Sequence, residues 1–178
     1  MALKPTIFKM NINLSNLNND HYDTLNLTVA QHPSETVERM MARVMAYCLN
    51  AQEFLSFTKG LSVADDPDIW VKSLDDQLLL WIDMGEPAFD RIKKASRLAK
   101  QVKVYSFNSK SAVWWKQSSA DFGKLNIDVY QFNFEQVQAL AKLLKRTMDY
   151  SVTIAGDTLY IAAELGECEI SCNALQVQ

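Results

Sequence analysis

Glycine and proline are scarce in this 178-residue chain, at five and four residues, and cysteine and histidine are scarcer still, at three and two. So few glycines leave no material for the Gly-rich loops that cradle phosphates in P-loop and dinucleotide-binding proteins, and nothing reads as a flexible linker. Three cysteines are an odd set with no disulfide framework, and no four nitrogen or sulfur ligands stand at zinc-site spacing. Cys168 and Cys172 lie four apart in an expected strand, far in sequence from His21 and His32. No Gly-x-Ser-x-Gly elbow accompanies those histidines, so a Ser-His-Asp or Cys-His enzyme has little to build on. Apolar runs such as Leu78–Ile82 stop far short of the ~20 residues that cross a bilayer. The opening Met1-Ala2-Leu3-Lys4 shows no signal-peptide pattern. The expectation is a cytoplasmic protein with no membrane partner.

What is present is enough apolar material for a core: 48% hydrophobic, 10% aromatic and 22% charged residues. That fits one domain over residues 1–178. The net charge of −3 conceals a segregation. Residues 1–90 carry six basic and thirteen acidic side chains, residues 91–124 nine and one, and residues 125–178 three and seven. An acidic cluster (Asp65, Asp66, Asp68, Asp75, Asp76, Asp83, Glu86, Asp90) thus runs straight into a basic one (Arg91, Lys93, Lys94, Arg97, Lys100, Lys103). Carboxylates able to hold a divalent cation beside cations able to hold phosphate are what metal-assisted phosphodiester chemistry needs. The same pattern also arises where opposite charges merely pair and solvate a surface.

Alternation over Ile7–Leu14 and Thr24–Ala30 predicts an opening hairpin. His32-Pro33-Ser34-Glu35 starts a helix, with Ser34 as cap, Glu35 favourable to the dipole, and Val37, Met40, Met41, Val44, Cys48 and Ala51 as one apolar stripe. Cys48 reads as a small buried hydrophobe. At 100° per residue Glu38 lies at the edge of that stripe, with Arg39 and Arg43 opposite. A short strand at Phe54–Leu61, the acidic turn Asp65-Asp66-Pro67-Asp68, a strand at Ile69–Val71 and a doubly covered strand ending in Asp83 follow. A helix over Phe89–Lys100 and a strand over Val102–Phe107 complete a βαβ crossover with parallel strands. Beyond it come a short helix over Ser109–Gln117 capped by Asn108-Ser109, a strand at Ile127–Tyr130, a helix over Glu135–Arg146, and a small β meander over about 150–175. Trp114 and Trp115 read as core anchors, and His32 as a locally bonded residue.

The chemistry-bearing residues crowd into residues 34–94, within a core of residues 34–107: Glu38 on a helix, acids around Pro67, Asp83 ending a central strand, and Lys93 and Lys94 on a basic helix. Such carboxylates suit Mg²⁺ or Mn²⁺, and a nearby lysine can steady the attacking water or the phosphate. That order, helix, strands, helix, strand, follows the logic of the PD-(D/E)xK nucleases.

The chain resembles the YaeQ family over most of its length. The resemblance is carried by His32-Pro33-Ser34-Glu35-Thr36 with Glu38-Arg39-Met40-Met41-Ala42-Arg43, Phe57-Thr58-Lys59-Gly60-Leu61, and Asp65-Asp66-Pro67 with Trp70. It continues in Trp81-Ile82-Asp83-Met84-Gly85 with Pro87, in Arg91-Ile92-Lys93-Lys94-Ala95, and in Phe107-Asn108-Ser109 with Trp114-Trp115. It implies an α/β fold that is a variant of the restriction-endonuclease-like PD-(D/E)xK fold, a central mixed sheet flanked by helices, with a small C-terminal β meander. It further implies an Mg²⁺ site. Asp83 matches the family acid of Trp-Ile-(Asp/Glu)-x-Gly, Asp66 is preferred over Asp65 or Asp68 as the acid near Pro67, and Glu38 matches the helix acid. Gly85 stands where the nuclease motif has lysine. Lys94 is favoured by the family pattern and Lys93 by helical projection.

Two functions follow. One is a metal-dependent phosphodiesterase or nuclease in which Glu38, Asp66 and Asp83 hold Mg²⁺ or Mn²⁺ and Lys93 or Lys94 assists Asp83 in catalysis on DNA or RNA. The other is a non-catalytic descendant that binds nucleic acid or a protein through Arg91, Lys93, Lys94, Arg97 and Lys100, the reading favoured by Gly85. A small-molecule enzyme using the same carboxylates stands third.

Overall fold

A computed structural model describes residues 4–178; Met1–Leu3, on which the reading of the opening segment draws, lie outside the described residues. In chain order the elements are β1 (Thr6–Asn16), β2 (His21–Gln31), α1 (Val37–Leu49), β3 (Leu55–Phe57), β4 (Ile69–Lys72), β5 (Leu78–Met84), α2 (Phe89–Leu98) and β6 (Gln101–Ser106). They continue as α3 (Ser111–Phe122), β7 (Asp128–Phe132), α4 (Phe134–Ala141), β8 (Thr147–Ala155), β9 (Thr158–Ala163) and β10 (Gly166–Gln176). The result is a mixed α/β fold divided into two compact units, the chain up to Leu49 with Asn133–Cys172, and Asn50–Phe132 with Asn173–Gln178. No helix is long and apolar enough to cross a membrane.

The first unit joins an early segment of the chain to a late one. β1 alternates as expected, with Phe8, Met10, Ile12 and Leu14 buried, and pairs antiparallel with β2 from Thr6↔Gln31 to Asn16↔His21. The expected small C-terminal meander is not an appendage. Its first strand, β8, runs parallel to β1 from Lys9↔Thr147 to Asn16↔Ile154, so the order is β2-β1-β8-β9-β10. The reason lies in matching alternation: Met148, Tyr150, Val152 and Ile154 are buried on β8 as the apolar residues are on β1, and one sheet serves both. The expected helix over Glu135–Arg146 ends at Ala141, where Leu143 N–H donates to Leu140 O and Leu144 N–H to Ala141 O. Arg146 belongs instead to the sheet margin, its Nε donating to Ile7 O while Lys9 N–H donates to Arg146 O. Tertiary pairing overrides helical periodicity there.

α1 departs from its helical wheel. Thr36 Oγ1, not Ser34, accepts the capping bond, from Arg39 N–H at 3.1 Å, while Ser34 bonds His32 Nδ1. Arg39 and Arg43 do not form a solvated face opposite the apolar stripe. Glu35, 6% exposed, accepts from Arg39 Nη1 at 2.6 Å, from Arg43 Nη2 at 2.8 Å and from Arg43 Nε at 3.1 Å. Arg43, 5% exposed, also donates to Ala30 O. A wheel assumes that one helix face meets water; here a buried carboxylate lets the second face be covered as well.

The second unit carries the predicted crossover. β5 pairs antiparallel with β4 (Ile69↔Ile82) and parallel with β6 (Trp81↔Val102, Asp83↔Val104), and β7 pairs parallel with β6. β3 forms one edge, and the residues of β10 from Asn173 lie beside β7 at the other. Ile92 and Ala95 of α2 and Phe122 of α3 pack on Trp81, Val102, Val104, Ile127 and Val129, with Trp114 and Trp115 against that cluster. Each fully buried side chain of this size contributes about 1.5–3 kcal/mol. Asn108 does not cap α3: its side chain donates to Glu86 Oε2 at 3.1 Å.

Two outcomes follow. Arg43→Ala leaves Glu35 buried with one partner fewer, and urea denaturation is expected to show a loss of about 3–5 kcal/mol. Cys48 is buried, and burial pushes its thiol up to about 12. It is expected to react with a disulfide reagent at about pH 8 only after unfolding, read as a stepwise thiol count.

Candidate functional site

The candidate residues converge where β5 gives way to α2. Asp83 is the penultimate residue of β5 and 2% exposed. Gly85 then turns the chain at φ +98°, its N–H donating to Tyr105 O at 2.8 Å. That conformation is costly for a side chain bearing a Cβ, which accounts physically for glycine at position 85. Glu86 and Pro87 lead into α2, whose third residue is Arg91.

Arg91 reaches back rather than out. Its Nε donates to Asp83 Oδ2 at 2.7 Å and its Nη2 to Asp83 Oδ1 at 3.2 Å. Nη2 also donates to Asp66 O at 2.8 Å, and Nη1 to Ala64 O. One guanidinium therefore fastens the end of β5, the start of α2 and the acidic turn, and its carbon lies 5.7 Å from the Trp81 ring centroid. Sequence reasoning placed Arg91 on the outer basic face. Its inward role has one sequence signal, a cation on the first turn of a helix that follows a strand-end acid by eight residues.

The turn before β4 brings in a second acid. Asp68 is 5% exposed, and its Oδ2 accepts from Met84 N–H at 2.9 Å while its own N–H donates to Ile82 O. Thr58 clasps the same turn, its hydroxyl donating to Pro67 O and its N–H to Asp68 O. Asp68 acts electrostatically on both Asp83 and Arg91. Burial pushes the Asp83 carboxyl above the ordinary carboxylate value, Arg91 pulls it back, and Asp68 adds to the rise. Asp83 in turn holds Arg91 more firmly protonated. Burial also raises Glu86, against the Asn108 hydrogen bond that lowers it.

The remaining predicted residues lie elsewhere. Asp66 contributes its backbone carbonyl to Arg91, so the side chain brought beside Asp83 is that of Asp68. Glu38 stands on α1, in the first unit. Lys93, Lys94, Arg97 and Lys100 are exposed. Lys94 lies 3.9 Å from the still more exposed Asp65, Lys93 lies 5.9 Å from the Phe89 ring centroid, and Lys100 acts electrostatically on Asp75.

A divalent ion needs several unengaged oxygens. Both Asp83 oxygens are taken by Arg91, one Asp68 oxygen is taken by a backbone N–H, and no group of three or more His, Cys, Asp or Glu among the described residues is placed to hold a metal. In this arrangement the donor set does not fit the ion.

Comparison with known proteins shows what the whole chain is similar to. The family model described as YaeQ protein matches residues 1–172. A protein named "Uncharacterized protein YaeQ" from Escherichia coli (strain K12) is 35% identical over 178 residues, covering 99% of this chain and 98% of that protein. Its namesake from Salmonella typhi is 36% identical, with the same coverage. The crystal structure of YaeQ protein from Xanthomonas axonopodis pv. citri superimposes with a TM-score of 0.95 at 30% identity, over 98% of this chain and 99% of that one. The one from Pseudomonas syringae gives 0.92 at 32% identity, over 98% and 97%.

The two acids of the turn and strand are expected to differ sharply on substitution. Asp83→Ala strands a partly buried guanidinium and should lower unfolding free energy by about 2–3 kcal/mol. Asp66→Asn keeps the carbonyl that Arg91 uses and should stay within about 0.5 kcal/mol of wild type in the same denaturation experiment.

Proposed function

The chain belongs to the YaeQ family, and from that premise we propose that it is a non-catalytic nucleic-acid-binding module on a PD-(D/E)xK nuclease-like fold, with the outward face of α2 as its contact surface. The observation that carries this reading is the division of charge on α2 and the residues just past it: Arg91 is spent inward on Asp83, while Lys93, Lys94 and Arg97 on the helix and Lys100 beyond its end are exposed. Lys93, Lys94 and Arg97 share the exposed side of the helix over about 6 Å, and Lys100 follows just beyond Ala99, where the backbone is already extended, so the four cations form one short stripe. A stripe of that length meets only a few phosphates. With a net charge of −3 on the whole chain, the contact is short and strongly salt-dependent.

A metal-dependent phosphodiesterase is the second reading, and one observation favours it: Asp68 and Asp83, from the turn before β4 and the end of β5, come within electrostatic reach of each other. It requires Arg91 to leave Asp83.

Fluorescence anisotropy with single- and double-stranded DNA and RNA tests the first reading. Wild type is expected to bind with a log–log salt slope of about −3, as four phosphate contacts predict. The variant with Lys93, Lys94, Arg97 and Lys100 all changed to Ala should bind at least ~10-fold more weakly, with the slope collapsing toward zero. Absence of salt-sensitive binding across the panel would overturn the reading. Incubation of the same oligonucleotides with Mg²⁺ or Mn²⁺ decides the second: cleavage by wild type that vanishes in folded Asp83→Asn establishes it, and no cleavage by either removes it for those substrates.

A further inference from the structure

The two buried acids and the guanidinium beside them are chemically matched in an unusual way. Arg91 meets four oxygens, the two of the Asp83 carboxylate and the carbonyls of Ala64 and Asp66. Carboxylate and backbone carbonyl oxygens are also the ligands a hard divalent cation selects. Asp68, a second buried acid, adds negative potential beside them. We infer that Arg91 is the resident cation of this site: its guanidinium supplies the positive charge that the converging oxygens require, and a divalent ion can enter only by displacing it.

The physical case rests on hydration and geometry. Two acids as buried as Asp83 and Asp68 need a compensating charge nearby. Mg²⁺ gives up its water reluctantly, whereas a guanidinium is weakly hydrated, permanently charged and planar, with a fork that spans both oxygens of one carboxylate. It is also tethered by eight residues of chain to the carboxylate it serves, so its local concentration cannot be diluted or chelated. The oxygens come from two separate segments, and a cation here is a structural clamp whatever its identity. This inference does not involve the exposed cations of α2 and Lys100, so it and the binding reading can fail independently.

Direct Mn²⁺ binding, followed by electron paramagnetic resonance with thermal melting in parallel, tests it. Wild type is expected to bind no Mn²⁺ saturably below about 1 mM, and to melt at the same temperature with Mn²⁺ or a chelator. Arg91→Ala should melt lower than wild type and bind one Mn²⁺ in the range of about 0.1–1 mM, with its melting temperature raised by the ion. Adding Asp83→Asn to Arg91→Ala should abolish that binding. One Mn²⁺ bound by wild type and lost in Asp83→Asn would overturn the inference, as would a folded Arg91→Ala that takes up no Mn²⁺. Where Arg91→Ala does not fold in metal-free buffer, recovery of the cooperative melt on adding Mn²⁺ supports the inference and failure to recover overturns it.

Discussion

A carboxylate removed from water must find positive charge, hydrogen bonds or a proton, and the first of these organises the second unit around Arg91 and Asp83. The pair joins a strand end, a helix start and a turn, segments that apolar packing alone would leave free to shift. Ile92, the next residue on α2, is fully buried in the core, so the same helical turn supplies both an apolar anchor and a directional one. Apolar contact is indifferent to small rotations of a helix, whereas two hydrogen bonds to one carboxylate fix its azimuth. The first unit repeats the device with different residues, Glu35 between Arg39 and Arg43. In each unit the asymmetry is the same: forming a buried pair contributes little net stability, but losing either partner is costly.

Much of the architecture was legible because alternation and helical stripes are local signals. The opening hairpin, the parallel β5–α2–β6 crossover and the tryptophans as core anchors each follow from a few consecutive residues. Three features were not legible for reasons that differ. The pairing of β1 with β8 links residues far apart in sequence, and alternation shows that a strand has a buried face without naming its neighbour. The burial of Arg43 is invisible to a helical wheel, which takes charge as a sign of solvent. The early end of α4 reflects Arg146 being drawn to Ile7, a long-range contact with no local trace.

The candidate site divides along the same line. Asp83 was legible from its place at the end of an apolar strand. The choice between Asp66 and Asp68 turned on which side chain a four-residue turn aims inward, and the fold aims Asp68, through a hydrogen bond from Met84 that no motif encodes. Arg91 was legible as a basic residue but not as an inward one, because composition counts charge without direction. Gly85 sits at a backbone angle suited to glycine, and the turn it makes leads into the helix from which Arg91 reaches back to Asp83.

The parallel pairing of Lys9 with Thr147 bears on the order in which the molecule can assemble. During synthesis the hairpin of β1 and β2 emerges first and then waits, one edge unpaired, until β8 is made. The second unit meanwhile has nearly all its strands within one continuous stretch, Asn50–Phe132. Contacts close in sequence form at low loop-closure cost, and those spanning most of the chain form late. The exposed edge of β1 during that interval is the vulnerable moment, a template for pairing with other nascent chains. Lys9, Asn11 and Asn13 on its polar face keep the waiting strand hydrated until its partner arrives.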